Sequence, residues 1–151
     1  MQKIICKYLL ISVFIILISS CGDNKRRSPI PDYPVYLELD LLGEFSTFKG
    51  SVGESHTFIT PRIASERLGF GGILVCTNSW GEYCAFDLAC PYEVKRDVRV
   101  RSDGLFAVCD SCGSQFDLWE TAFAVPSKGP TNFPLKKYKV NVSSSKLVVS
   151  L

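Results

Sequence analysis

Two pieces of sequence, Cys90-Pro91-Tyr92-Glu93 and Cys109-Asp110-Ser111-Cys112-Gly113-Ser114-Gln115-Phe116-Asp117-Leu118, decide how this chain reads. Each places cysteine in a short loop directly after a strand-like run. Cys84-Ala85-Phe86-Asp87-Leu88-Ala89 leads into the first, and Leu105-Phe106-Ala107-Val108 into the second. Sixteen residues, Glu93 to Val108, separate Tyr92 from Cys109. Two such loops, side by side at one end of a sheet, bring soft thiolate donors to one point, where they can hold a metal centre. Cys-x-x-Cys alone is less specific, because iron–sulfur clusters, zinc and disulfides all use it.

Hairpins feed both loops. Phe70 to Thr77 and Glu82 to Leu88 are strand-like runs joined by the turn residues Asn78-Ser79-Trp80-Gly81. With those four as the loop, Thr77 faces Glu82 and Val75 faces Cys84. Cys76 is then one residue out of register, so Cys76 and Cys84 are expected as two buried thiols and not as a disulfide. Asp97 to Arg101 alternates, Ser102-Asp103-Gly104 turns, and Leu105 to Cys109 returns. Upstream, Val35, Leu37, Leu39 and Leu41 alternate with Tyr36, Glu38 and Asp40, which predicts a half-buried strand. Downstream, Phe116 to Trp119 is a short strand and Pro126 to Pro134 a loop. Leu135 to Val142 pairs with Lys146 to Leu151 through Ser143-Ser144-Ser145. Thr57 to Ile63 is a short β-prone piece, and Ala64 to Leu68 is at most one helical turn. Eight or nine short strands without a long helix predict an all-β sandwich or small barrel over residues 35–151.

Residues 1–20 carry a different signal. Lys3 and Lys7 precede an apolar run, Tyr8 to Ile18, that is too short to span a bilayer comfortably. It ends Leu17-Ile18-Ser19-Ser20-Cys21, which is similar to a bacterial lipobox. That implies a signal peptide over 1–20, lipid on Cys21, and a lipidated tether over 21–34 built from charges, Ser28, Pro29, Pro31 and Pro34. The expected location is the bacterial cell envelope, lipid-anchored, on the periplasmic side or the surface. Gly22 after the cysteine implies the outer membrane by resemblance to the proteobacterial sorting rule. Cleavage would leave fifteen Lys and Arg facing fifteen Asp and Glu. No basic stripe remains, so the composition argues against nucleic acid. Lys25-Arg26-Arg27 reads as a solvated linker beside the head groups. Of seven cysteines, Cys6 leaves with the signal and Cys21 takes the lipid. The five that remain are an odd number, which means a free thiol, an intermolecular bond or metal ligation.

The cysteine loops resemble the Rieske iron–sulfur domain, whose pattern is C-x-H, a gap of about sixteen residues, then C-x-x-H-G-S. Gly113-Ser114, Phe116, Gly129-Pro130 and Leu135-x-x-Tyr138-x-Val140 also fall where Rieske domains carry them, so the likeness covers roughly Leu68 to Leu151. It implies a Rieske-like β-sandwich carrying a two-hairpin cluster-binding subdomain, a [2Fe-2S] cluster, and one-electron transfer without substrate chemistry of its own. Cys90 and Cys109 match the two Cys ligands. Tyr92 and Cys112 stand at the two His positions. A Cys112 thiolate is an ordinary ligand for such a cluster. A Tyr92 phenolate, from a group whose pKa is near 10, is a reluctant one. Three readings follow. A [2Fe-2S] cluster sits on Cys90, Cys109, Cys112 and Tyr92 or another oxygen donor. Or the loops hold no cluster and a disulfide forms among the thiols, leaving a binding or structural component of an envelope complex. Or three thiolates bind zinc with a fourth ligand or water. The disulfide that links the two loops in some Rieske proteins would need cysteines at Lys95 and Ser111, and is absent. His56, the single histidine, reads as an exposed loop residue and not as a distant fourth ligand. Trp80 and Trp119 read as core or rim, and Asp117 and Glu120 as surface. The partners expected are the membrane, through the lipid, and an envelope protein or redox partner that no residue names.

Overall fold

The computed structural model describes residues 27–151. The expected signal peptide, Cys21 and the first part of the expected tether lie outside the described residues. Eleven strands follow one another: β1 (Val35–Asp40), β2 (Ser55–Phe58), β3 (Arg67–Leu68), β4 (Ile73–Thr77), β5 (Tyr83–Asp87), β6 (Val100–Asp103), β7 (Phe106–Cys109), β8 (Gln115–Asp117), β9 (Pro126–Lys128), β10 (Lys137–Val142) and β11 (Lys146–Ser150). Among the described residues the helical content is a single 3-10 turn, Ser46–Phe48. The all-β expectation holds. A seven-stranded sheet runs β2-β4-β5-β10-β11-β1-β3, and a four-stranded sheet runs β6-β7-β8-β9. The layout is a large sheet with a smaller sheet packed on one of its hairpins.

The larger sheet curls around its own core. Leu37, Leu39, Phe58, Ile73, Val75, Ala85, Tyr138, Leu147 and Val149, from six strands, pack as one cluster. The alternation of β1 supplies one wall, with Leu37 and Leu39 fully buried and Tyr36 exposed. A second core lies between the outer face of the β4–β5 hairpin and the small sheet. It joins Leu74, Cys76, Cys84, Phe86 and Leu88 to Val100, Ala107, Cys109, Phe116 and Leu118. The hairpin is therefore covered on both faces, and every residue of β4 is buried. That is why Ile73 to Thr77 reads as a continuous apolar run without alternation. Phe86 and Phe116 are fully buried between the layers, each contributing on the order of 2 kcal/mol by area removed from water.

Several local expectations change. In the β4–β5 hairpin Thr77 pairs with Tyr83, so Cys76 pairs directly with Cys84. The connection is five residues because Asn78 closes it. Its Oδ1 accepts from the N–H of Trp80 at 3.0 Å and of Glu82 at 2.9 Å, the local turn chemistry of asparagine. Both cysteines are free and buried, as expected. The strand expected from Asp97 begins instead at Val100. Residues 88–99 form the first cysteine loop, tied across its neck by an Ala89–Arg99 bridge. Pro126–Lys128 is an edge strand and not a loop, at the rim of the small sheet where proline's missing N–H costs no ladder bond. Arg67–Leu68 adds to β1 where one helical turn was expected. The preceding chain is held by Glu66, whose carboxylate accepts from the Arg62 N–H and pairs with the Arg62 guanidinium at 2.6 Å.

The described end of the tether lies against the domain. Ile30 is buried. The Lys136 ammonium donates to the carbonyls of Ile30 at 3.1 Å and Pro31 at 2.8 Å, and pairs with Asp32.

Candidate metal centre

Asp87 sets the stem of the first cysteine loop. Its carboxylate is fully buried. It accepts from the N–H groups of Phe70 at 2.8 Å, Gly71 at 2.9 Å and Ala89 at 2.7 Å, and from the Tyr138 hydroxyl. Three chain segments converge on one side chain, three residues before Cys90. Gly71 must be glycine here, because a Cβ would fall 2.5 Å from the Ala89 nitrogen. Beyond the stem the chain turns tightly. Cys90 N–H donates to Val98 at 3.0 Å, and the Cys90 carbonyl accepts from Val94 at 2.9 Å. Val94 takes a φ of 52° to make that turn, a left-handed conformation that costs a β-branched residue about 1–3 kcal/mol.

The second loop closes on itself at the end of β7. Cys109 N–H donates to the Ser114 carbonyl at 2.8 Å, and Gly113 N–H donates to the Cys109 carbonyl at 2.8 Å. Gly129 buttresses it, since a Cβ there would lie 2.4 Å from Ser114 Cα. The Gly129-Pro130 pair noted in the sequence thus sets how closely β9 approaches this loop. Across the gap, Ser111 donates to Glu93 Oε1 at 3.0 Å. That hydrogen bond ties the loops together without a disulfide.

The loops bring three of the four expected site residues together. Cys90 and Cys109 are fully buried and Cys112 is half-buried. Their three sulfur atoms all lie within 4.8 Å of one another. Cys90 Sγ and Cys112 Sγ are 3.7 Å apart. The backbone N–H groups of Glu93 and Tyr92 favour the charged form of Cys90, and that of Ser114 the charged form of Cys112. Burial pushes the Cys90 thiol up to about 12, against the pull of those N–H groups. Burial raises the Cys112 thiol too, but hydrogen bonds from Ser114 and the neighbouring sulfurs outweigh it and leave Cys112 lowered. Cys112 Sγ lies 3.1 Å from Ser114 Oγ. Cys112 thus stands at the half-buried side of the cluster, beside two fully buried cysteines. The three thiols are placed to hold a metal ion.

No family model matches the chain, and no curated protein matches it in sequence. Among solved structures the chain is similar to a Sphingomonas yanoikuyae B1 ferredoxin, with a TM-score of 0.42 and 19% identity over 67% of this chain and 90% of that one.

Tyr92, the fourth expected residue, is 53% exposed. Its backbone N–H serves Cys90 while its ring faces solvent. His56 is not an exposed loop residue. It lies on β2, half-buried, with Nε2 2.9 Å from Glu54 Oε1 and its ring edge-on to Phe45 and Phe48. Those two phenylalanines belong to the core of the larger sheet, whereas all three site cysteines pack with the other core. Trp80 is exposed at the tip of the β4–β5 hairpin. Asp117 is a turn cap, its Oδ1 accepting from the N–H of Trp119 at 2.7 Å and of Glu120 at 3.0 Å. Asp87 escaped the sequence reading. Its signal was present: one carboxylate inside the apolar run Cys84 to Ala89 has to find several donors when that run is buried.

Proposed function

We propose that this protein is a Rieske-like metal-binding module whose centre is held by Cys90, Cys109 and Cys112, and that it works in the bacterial cell envelope, anchored through lipid on Cys21. The gathering of three sulfurs within 4.8 Å, on two loops held by Asp87 and Gly129, carries this reading. Iron held by thiolates exchanges one electron at a time, so the iron form is an electron carrier for an envelope redox partner. The iron–sulfur character implied by the sequence resemblance belongs to this reading. Zinc on the same thiolates would take a further ligand or water at its fourth position. The module performs no substrate chemistry of its own: its residues supply binding, orientation and electrostatics around the metal.

One observation favours a second reading. Cys90 and Cys112 lie 3.7 Å apart, sulfur to sulfur, so oxidation would join the loops without moving either far. In that case the module is metal-free and serves as a binding or structural part of an envelope complex. Anaerobic purification of the full chain in detergent, followed by iron, zinc and sulfide analysis and thiol alkylation, separates the two. Bound metal with reactive thiols only after its removal supports the metal module. A colourless, metal-free protein with a mapped Cys90–Cys112 disulfide supports the second.

A further inference from the structure

We infer that the three cysteines form a site for a single thiophilic metal ion, zinc or iron, and not for a two-iron cluster in the Rieske arrangement. This rests on the metal-binding reading above and narrows it.

The argument is one of spacing. In the two-iron arrangement Cys90 and Cys109 would share the inner iron, and Cys112, at a His position, would hold the outer one. Ligands on different irons are separated by the iron–iron distance plus the outward reach of both bonds. They are always further apart than two ligands on one iron. Here the pair that should be far apart, Cys90 and Cys112, has its sulfurs at 3.7 Å. Two thiolates on one tetrahedral ion, with metal–sulfur bonds of about 2.3 Å, stand about 3.8 Å apart. The third sulfur lies within 4.8 Å of both. All three therefore address one point. Any cluster that assigns them to different irons would have to prise the loops apart. The Ser111–Glu93 hydrogen bond, which spans the two loops, opposes that movement.

Charge and access agree. Three thiolates on a divalent ion leave one net negative charge, which the N–H groups of Tyr92, Glu93 and Ser114 face. Cys90 and Cys109 are sealed from water and Cys112 is half-buried, so the ion enters, and its fourth position opens, on the Cys112 side. Three protein ligands with an open fourth position is the pattern of a site that can take solvent or a further donor.

The test uses the full chain, purified anaerobically in detergent, stripped with chelator and reductant, and titrated with cobalt(II) or zinc(II). The expected result is one ion per chain, no acid-labile sulfide, and tetrahedral cobalt bands with thiolate charge-transfer intensity for three sulfurs. Cys112→Ser, at the half-buried position where the fold tolerates it best, should weaken cobalt binding by at least about tenfold. Cys84→Ser should leave the stoichiometry unchanged. Reconstitution with iron and sulfide that yields two irons and two sulfides per chain would overturn the single-ion site while leaving the metal module intact. Cobalt binding of undiminished strength in Cys112→Ser would overturn it as well. A folded, reduced chain that takes up neither cobalt, zinc nor iron would bring down the metal-binding reading itself.

Discussion

Four donors converge on the Asp87 carboxylate, and they come from three separate stretches of chain. Removing the acceptor would strand buried N–H groups, each costing about 1–3 kcal/mol. Asp87→Ala is expected to lower unfolding free energy by at least about 3 kcal/mol. Tyr138→Phe, which removes one donor and leaves the carboxylate three, should cost about 1 kcal/mol. Denaturant titration of both variants checks the order; equal costs would mean that Asp87 does not organise the stem. A second residue-scale effect is set by Cys76. Burial pushes its thiol up to about 12 from an ordinary value of 9.0. Below pH 9 folded and unfolded chains both hold the proton. Above it the unfolded chain loses the proton and the folded chain keeps it. Stability therefore falls as pH rises from 9 to 12, by up to about 1.4 kcal/mol per pH unit for one thiol. In metal-free protein, Cys76→Ala should flatten that alkaline slope by up to this amount, measured by denaturation at several pH values. An unchanged slope would show that other buried thiols dominate.

Among elements, the second cysteine loop depends on its neighbour β9 as much as on its own residues. Gly129 has a φ of 93° and no room for a Cβ against Ser114. Gly129→Ala therefore adds both backbone strain and a steric clash, which together cost about 2 kcal/mol or more. Displacement of Ser114 should also move Cys112, so metal affinity should fall along with stability. Hydrogen exchange over residues 109–114, read beside a cobalt titration, checks this. A variant that loses stability but keeps the parent's cobalt affinity would mean that β9 supports the sheet and not the site. The β4–β5 hairpin is an element of the opposite kind. It is buried on both faces, links the two cores, and leads directly into Cys90.

At the scale of the whole molecule, the metal end and the tether are joined to the same scaffold. Lys136 holds the carbonyls of Ile30 and Pro31, and its own carbonyl accepts from the Asp87 N–H at 2.8 Å. The point where the chain leaves toward the proposed anchor is thus a fixed feature of the domain, a few bonds from the stem of the first cysteine loop. Cys21→Ser is expected to abolish lipid labelling and move the protein from the membrane fraction to the soluble fraction. Fractionation and labelling unchanged from the parent would remove the anchor from the proposal. Circular dichroism of either form should show β structure with almost no helix.

Much of this was legible in the residues themselves, because it was local. Alternation in Val35 to Leu41 dictated a half-buried strand, Ser143-Ser144-Ser145 placed the last hairpin, and two cysteine loops after strand-like runs announced a shared site. These features depend on neighbours a few positions apart. The direct pairing of Cys76 with Cys84 was one residue beyond reach, since it turned on which hydrogen bonds Asn78 would make. The short strands Arg67–Leu68 and Pro126–Lys128 exist through the partners they find in space and have little propensity of their own. His56 likewise read as an exposed loop residue until β2 placed it against Phe45 and Phe48. Above all, the sequence named Cys90, Cys109 and Cys112 but could not give the distances among them. Those distances are set by how a curled seven-stranded sheet packs on a four-stranded one, by a buried carboxylate and a glycine without room for a side chain. Packing between segments remote in sequence decides whether three thiols meet around one metal ion or spread over two.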